Sequence, residues 1–176
     1  MDYQALEEHI KDSVMEEHAK LGFRKEVIRL YYPVGMLNNL FGTACDAEEM
    51  QQALAGFTDF AKERLGEVTI THKKDRFCLL LPEETSIYVH EHKKENEFIH
   101  QLVNLIASHE TDMEQVKKLF EQQPFPSVVE QTTGGEFDTV IHFTQGDDRY
   151  YYCFKDEGFH ITYHRFLPAD YKDLGV

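Results

Sequence analysis

Between Glu136 and Phe166 the chain reads EFDTVIHFTQGDDRYYYCFKDEGFHITYHRF, with apolar and polar residues alternating around two glycine-containing turns. Alternation with a period of two predicts an antiparallel three-strand meander. The four-residue turn Gln145–Asp148 sets Thr144 opposite Arg149, Phe143 opposite Tyr150 and Ile141 opposite Tyr152. The second turn, Lys155–Gly158, ends on a glycine suited to a left-handed position. With Phe154 opposite Phe159, one face collects Ile141, Phe143, Tyr150, Tyr152, Phe154, Phe159, Ile161 and Tyr163. Sliding by one residue would put His160 and His164 on that face instead. Burial of large apolar side chains, at ~1.5–3 kcal/mol each, favours the aromatic face as the core side. The expected cover for that face is helices from the first half of the chain.

Upstream the period lengthens. Tyr3, Leu6, Ile10, Val14 and Leu21 recur at helical spacing, and Gly22 stops the run. Phe23, Val27, Leu30 and Tyr31 suggest a shorter helix that Pro33 ends. Met36–Phe41 reads as a short apolar turn. Asp46 with Glu49 forms a capping box for a helix over Ala47–Leu65, closed by Gly66. Val68–His72 and Phe77–Leu81 read as a hairpin around Lys73–Arg76. Ser86–His92 suits a strand or a helix. Helical spacing returns over Glu95–Ser108, and Thr111 or Asp112 caps a shorter helix carrying Val116 and Phe120. Val128–Gln131 adds a possible fourth strand, turning at Gly134-Gly135, and Pro168 starts a terminal turn. The order is N-terminal helices, hairpin, further helices, then a three- or four-strand meander packed on helices. That is an α+β fold, expected as a single domain over 1–176.

Charge narrows the partners. The net charge is −14, spread as twelve acidic against seven basic residues over 1–65, eight against five over 66–110, and twelve against six over 111–176. No stripe of Lys and Arg is available to meet phosphates, so nucleic acid is not an expected partner; the spread acidic excess suits ordinary solubility, with a basic protein partner as the alternative. Three cysteines without metal-type spacing, Cys45, Cys78 and Cys153, fit a reducing compartment. The first residues, MDYQALEEHIKD, lack the charged and apolar regions of a signal peptide, and no apolar run reaches the ~20 residues of a membrane span. The expected location is the cytoplasm, with no membrane contact.

The candidate chemistry lies on the second face of the meander, which the pattern leaves open. It carries His142, Tyr151, Cys153, His160 and His164. Imidazoles on neighbouring strands, ~4.5–5.5 Å apart across a pair, suit a divalent metal or a proton shuttle. His142 and His160 are the metal candidates, with Cys153 or Asp138 as a further ligand; the competing interpretation is a plain solvated face. His90, Glu91 and His92 form a second cluster, and His92, Asn96 and His100 would share a helical face if that helix began early. Tyr31-Tyr32-Pro33 and Asn38-Asn39 read as buried rings and loop contacts. Phosphate-binding glycine loops, zinc-protease, nucleophile-elbow, CxxC and EF-hand signatures do not occur. No cofactor or catalytic residue is therefore expected.

Three blocks, VIRLYYPVGMLNNLFG, RFCLLLPEETSIYVHE and above all YYYCFKDEGFHITYHRFLPADYKDLGV, resemble a bacterial family known as domain of unknown function 3877. The resemblance spans about residue 3 to 176. It implies a single bacterial cytosolic domain and brings no activity, ligand or catalytic residue with it. The functional expectation is a non-enzymatic protein-binding module, for instance an immunity-type partner of a basic toxin. The alternative is a metal- or small-ligand-binding domain working through the His/Tyr face.

Overall fold

The computed structural model describes residues 1–175, and their contacts gather into two compact units, Met1–Asn96 and Glu97 onward. The first unit runs α1 (Tyr3–Leu21), β1 (Ile28–Pro33), α2 (Val34–Phe41), α3 (Ala47–Leu65), β2 (Thr69–Lys73), β3 (Arg76–Leu81) and α4 (Glu83–His92). Its three strands are antiparallel in the order β1-β3-β2. The core lies between sheet and helices, where Leu6, Ile10, Val14, Leu54, Phe57, Phe77 and Leu79 are all but fully buried. Gly56 allows α1 and α3 to meet closely: a Cβ there would stand 2.6 Å from the Tyr3 hydroxyl, which donates to the Ala53 carbonyl. Asp46 and Glu49 close the capping box expected of them.

One predicted element has the wrong type. Phe23–Tyr32 is not a helix; Ile28–Pro33 is an edge strand, with Tyr32 opposite Phe77 and Tyr31 opposite Cys78. Its burial alternates, with Tyr32 almost fully buried and Tyr31 exposed. The adjacent β3 offered a ladder that one turn of helix could not match, and Ile28, Tyr31 and Tyr32 suit a strand. Met36–Phe41 belongs to helix α2, and Ser86–His92 lies in α4.

A charged cluster is embedded in this unit. Glu7 falls at core spacing on α1, with its side chain 4% exposed. Its two oxygens accept from Arg64 Nε and Nη2, both at 2.8 Å, and Lys11 Nζ lies 2.6 Å from Oε1. Burial pushes the Glu7 carboxyl up, but the hydrogen bonds from Arg64 and Lys11 outweigh it and hold the group below its ordinary range.

The second unit begins with α5 (Glu97–Ala107) and α6 (Met113–Glu121), followed by β4 (Ser127–Gln131), β5 (Thr139–Phe143), β6 (Tyr151–Asp156), β7 (Ile161–Phe166) and α7 (Pro168–Asp173). The four strands form one antiparallel sheet in sequence order. The cover expected from first-half helices comes from α5 and α6. Phe98 and Phe120 meet Phe143 and Tyr152 edge-on or tilted, with ring centres 5.2–5.6 Å apart. Such geometry favours aromatic pairs beyond the area they bury.

The β5–β6 register is the expected one, with Ile141 opposite Tyr152. The β6–β7 register is not. Phe154 pairs with Tyr163 and not Phe159, because Lys155 and Asp156 continue the strand and the chain turns over Glu157–His160. The shift is an even number of residues, so the faces keep their membership. Ile161 is buried, whereas Phe159 stands at the turn, 71% exposed and outside the core. Gly158, at φ +83°, takes the left-handed position assigned to it.

Candidate functional site

The face carrying His142, Tyr151, Cys153 and His164 is not open. Cys153 is fully buried with Val140 and Phe137, and Tyr151, Phe166 and Tyr171 pack against them. The cover comes from Phe137, which falls in the first strand expected of the meander but lies in the β4–β5 connection, and from α7, read as a terminal turn, which supplies Tyr171. His142 stacks on Tyr151 at 4.2 Å between ring centres, and Tyr151 stacks on Tyr171 at 4.8 Å. His164, opposite Cys153, is exposed with its ring 5.8 Å from Phe137.

His160 does not join them. It sits in the β6–β7 turn, half-buried and 3.4 Å from a Glu157 carboxylate oxygen. His142 is level with Phe166 through Tyr151, six residues along β7 from His160. At a rise of ~3.3 Å per residue the two metal candidates stand roughly 20 Å apart along the sheet. Asp138 is committed elsewhere, accepting from Lys155 Nζ at 2.8 Å and from the Asp156 N–H at 3.0 Å. Among the described residues no group of three or more His, Cys, Asp or Glu side chains is placed to hold a metal ion.

Burial pushes the Cys153 thiol up to about 12. The thiolate is the reactive form, so a thiol reagent at pH 8 should label Cys45 and Cys78, both half-buried, at least about tenfold faster than Cys153. Mass-spectrometric mapping of labelling with time checks this. Equal rates in folded protein would contradict the burial.

The other sequence candidates make local contacts. His90 stacks flat on Phe23 at 3.8 Å, and His92 stacks on Tyr88 at 4.3 Å. Because α4 stops at His92 and α5 starts at Glu97, the face proposed for His92, Asn96 and His100 does not form. Tyr32 places its hydroxyl 3.0 Å from His9 Nδ1. Asn38 pins the loop after α2: it donates to the Cys45 carbonyl and accepts from the Cys45 N–H and the Thr43 hydroxyl.

What this side of the sheet does present is a cleft of about 640 Å³, lined by residues 130–137, Tyr171, Leu174 and Gly175. Its apolar surface comes from the half-buried Tyr171 and the exposed Leu174, with the buried Phe137 behind them. Glu130 and Glu136 also line it, and neither makes an ion pair among the described residues. Burial, with the fields of Cys153 and Glu130, raises the Tyr171 hydroxyl above its ordinary range, so the ring stays neutral near pH 7. Neutral aromatic surface beside unpaired carboxylates suits a cation. The expected site lay elsewhere because Glu130 and Glu136 fall in two segments read as separate strands, and Tyr171 in one read as a terminal turn. The glycine pair set between Glu130 and Glu136 was the available signal.

Fold and site together define an α+β protein whose C-terminal sheet bears an acidic, aromatic-lined cleft. The chain belongs to the family described as "Domain of unknown function, E. rectale Gene description (DUF3877)", which matches residues 3–175. No curated protein and no solved structure matches it. Among the described residues no helix is long and apolar enough to cross a membrane.

Proposed function

We propose that the protein is a non-enzymatic binding module whose C-terminal unit receives a basic side chain of a protein partner in this cleft. The observation that carries the reading is that Glu130 and Glu136, without counter-ions among the described residues, line the same cleft as the half-buried Tyr171 ring. A lysine or arginine side chain laid on Tyr171 would gain a cation–π contact of about 0.5–1 kcal/mol at a partly exposed site, and either carboxylate could meet its charge. Field at longer range acts the same way. From Glu97 to the C-terminus the sequence holds fourteen acidic and six basic residues, an excess that speeds encounter with a basic partner.

Titrating the isotope-labelled protein with a capped lysine-rich peptide should move the amide signals of residues 130–137, Tyr171 and Leu174. An acidic peptide of equal length should leave them in place. The double change Glu130→Gln, Glu136→Gln should weaken binding by about tenfold, and raised salt should weaken it too, since exposed charges are screened. Shifts outside the cleft, or equal shifts with the acidic peptide, would refute the assignment.

A further inference from the structure

We infer that β4 is a docking edge, to which an extended segment of the basic partner adds as a fifth strand. This rests on the cleft reading above and specifies how the partner is held. Two loop hydrogen bonds set the phase of the β4–β5 ladder: Thr132 N–H donates to Asp138 O at 3.0 Å, and Thr144 N–H to Pro126 O at 2.9 Å. Both pairs belong to the register that sets Val128 opposite His142 and Glu130 opposite Val140. In an antiparallel ladder bonded and non-bonded pairs alternate, so residues 126, 128, 130 and 132 spend their backbone groups on β5. Ser127, Val129 and Gln131 therefore turn three N–H and three C=O groups outward, on the side of β4 where the sheet has no further strand. None of them has a backbone partner beyond the sheet among the described residues.

Sheets commonly protect such edges with charged residues, lysine above all, or with proline. Here β1 carries Arg29 and Pro33, β2 carries Lys73, and β7 carries Arg165. The fourth edge strand, β4, reads SVVEQ: it has no proline and no basic residue, and its one charge is Glu130. It also exposes apolar surface: Val128 and Val129 are 38% and 42% exposed, and Phe125, two residues before the strand, is 45% exposed.

Charge selects the occupant. Glu130 lies on the same face as Val128, beside the cleft, and is the only charged side chain of β4. A strand added at ~4.8 Å would set one of its residues directly across from Glu130, and a lysine or arginine there could reach the cleft. Its apolar residues would cover Val128 and Val129. A second copy of this chain would bring another acidic unit against the first, which like-charge repulsion opposes. Main-chain bonds would supply affinity, and the basic residue register.

The test uses the full chain with two capped peptides of alternating valine and lysine, one ordinary and one N-methylated at every backbone amide, which blocks both edges of the strand. Both have the same side chains and charge, but the methylated form cannot complete a ladder. The ordinary peptide should slow hydrogen exchange at the Ser127, Val129 and Gln131 amides by about tenfold or more, and the methylated one should not. Val129→Pro, which removes an outward N–H and leaves each β4–β5 bond in place, should weaken binding of the ordinary peptide about tenfold. Equal binding of the two peptides, with loss on Glu130→Gln, Glu136→Gln, would overturn the strand addition and leave the cleft reading standing. Binding of neither peptide would overturn both. A concentration-dependent dimer in sedimentation, abolished by Val129→Pro, would make the occupant a second copy and overturn the inference.

Discussion

Phe120→Ala should destabilise the C-terminal unit by about 3–5 kcal/mol, the cost of truncating a large aromatic in a packed core. Phe120 is fully buried at the centre of the α6–sheet contact, touching Phe98, Phe143, Tyr152 and Phe154. None of those rings can fill the void without leaving its own partners. Tyr152, for one, is tied by its hydroxyl to Asp148 at 2.6 Å. The informative control is Phe159→Ala, since Phe159 would share the core face in the register expected from sequence but lies exposed at the turn. That change should stay within about 0.5 kcal/mol of the parent. Urea denaturation followed by amide signals of the C-terminal unit measures both, without presuming that the two units unfold together. Similar losses for the two variants would mean the β6–β7 register is wrong.

Arg64→Ala should be the costliest surface-accessible change in the N-terminal unit, at about 2–3 kcal/mol. Removing it leaves the Glu7 carboxylate buried with Lys11 alone. Stranding one partner of a fully buried pair costs about 3–5 kcal/mol, and the Lys11 contact keeps this case lower. The exposed Lys62–Glu67 pair, 2.9 Å apart, is the contrast, and Lys62→Ala should leave no measurable trace. The pH dependence has a definite sign. The folded-state pKa of Glu7 is depressed, so the stability it contributes is present above the ordinary carboxylate value of 4.5 and is lost as pH falls through the folded value. Arg64→Ala removes the bidentate partner, so its stability should decline at higher pH than the parent's. Thermal melts from pH 7 to 3 test this, and parallel profiles for parent and variant would sink it.

Much of the secondary structure was legible because it rests on local rules. Period 3.6 with Asp46, Glu49 and Gly66 marks α3, and period two marks β5, β6 and β7. The segment that holds strand β1 was read as a helix because Phe23, Val27, Leu30 and Tyr31 happen to recur at helical spacing. Only β3, nearly fifty residues on, makes a strand the better arrangement. Glu7 was overlooked although it sits at core spacing between Tyr3 and Ile10, since its partner Arg64 is on another helix.

For the meander, the sequence by itself determined which side chains share a face. Parity is a property of the strand alone, and it survived the changed β6–β7 pairing. Which of the two faces meets solvent is a property of whatever packs there, and only the tertiary structure decided it. Phe137 shares the parity of Ile141 and Phe143 in the alternating run, yet it precedes β5 and packs on Cys153. Tyr171 lies in a segment read as a terminal turn, so nothing local announced that they would cover Cys153 and leave a cleft beside them. The same holds for the candidate metal pair: His142 and His160 have the right parity, but their separation along the strands follows from the length of a turn. Sequence alternation reports orientation and is silent on distance and cover. A binding site needs all three.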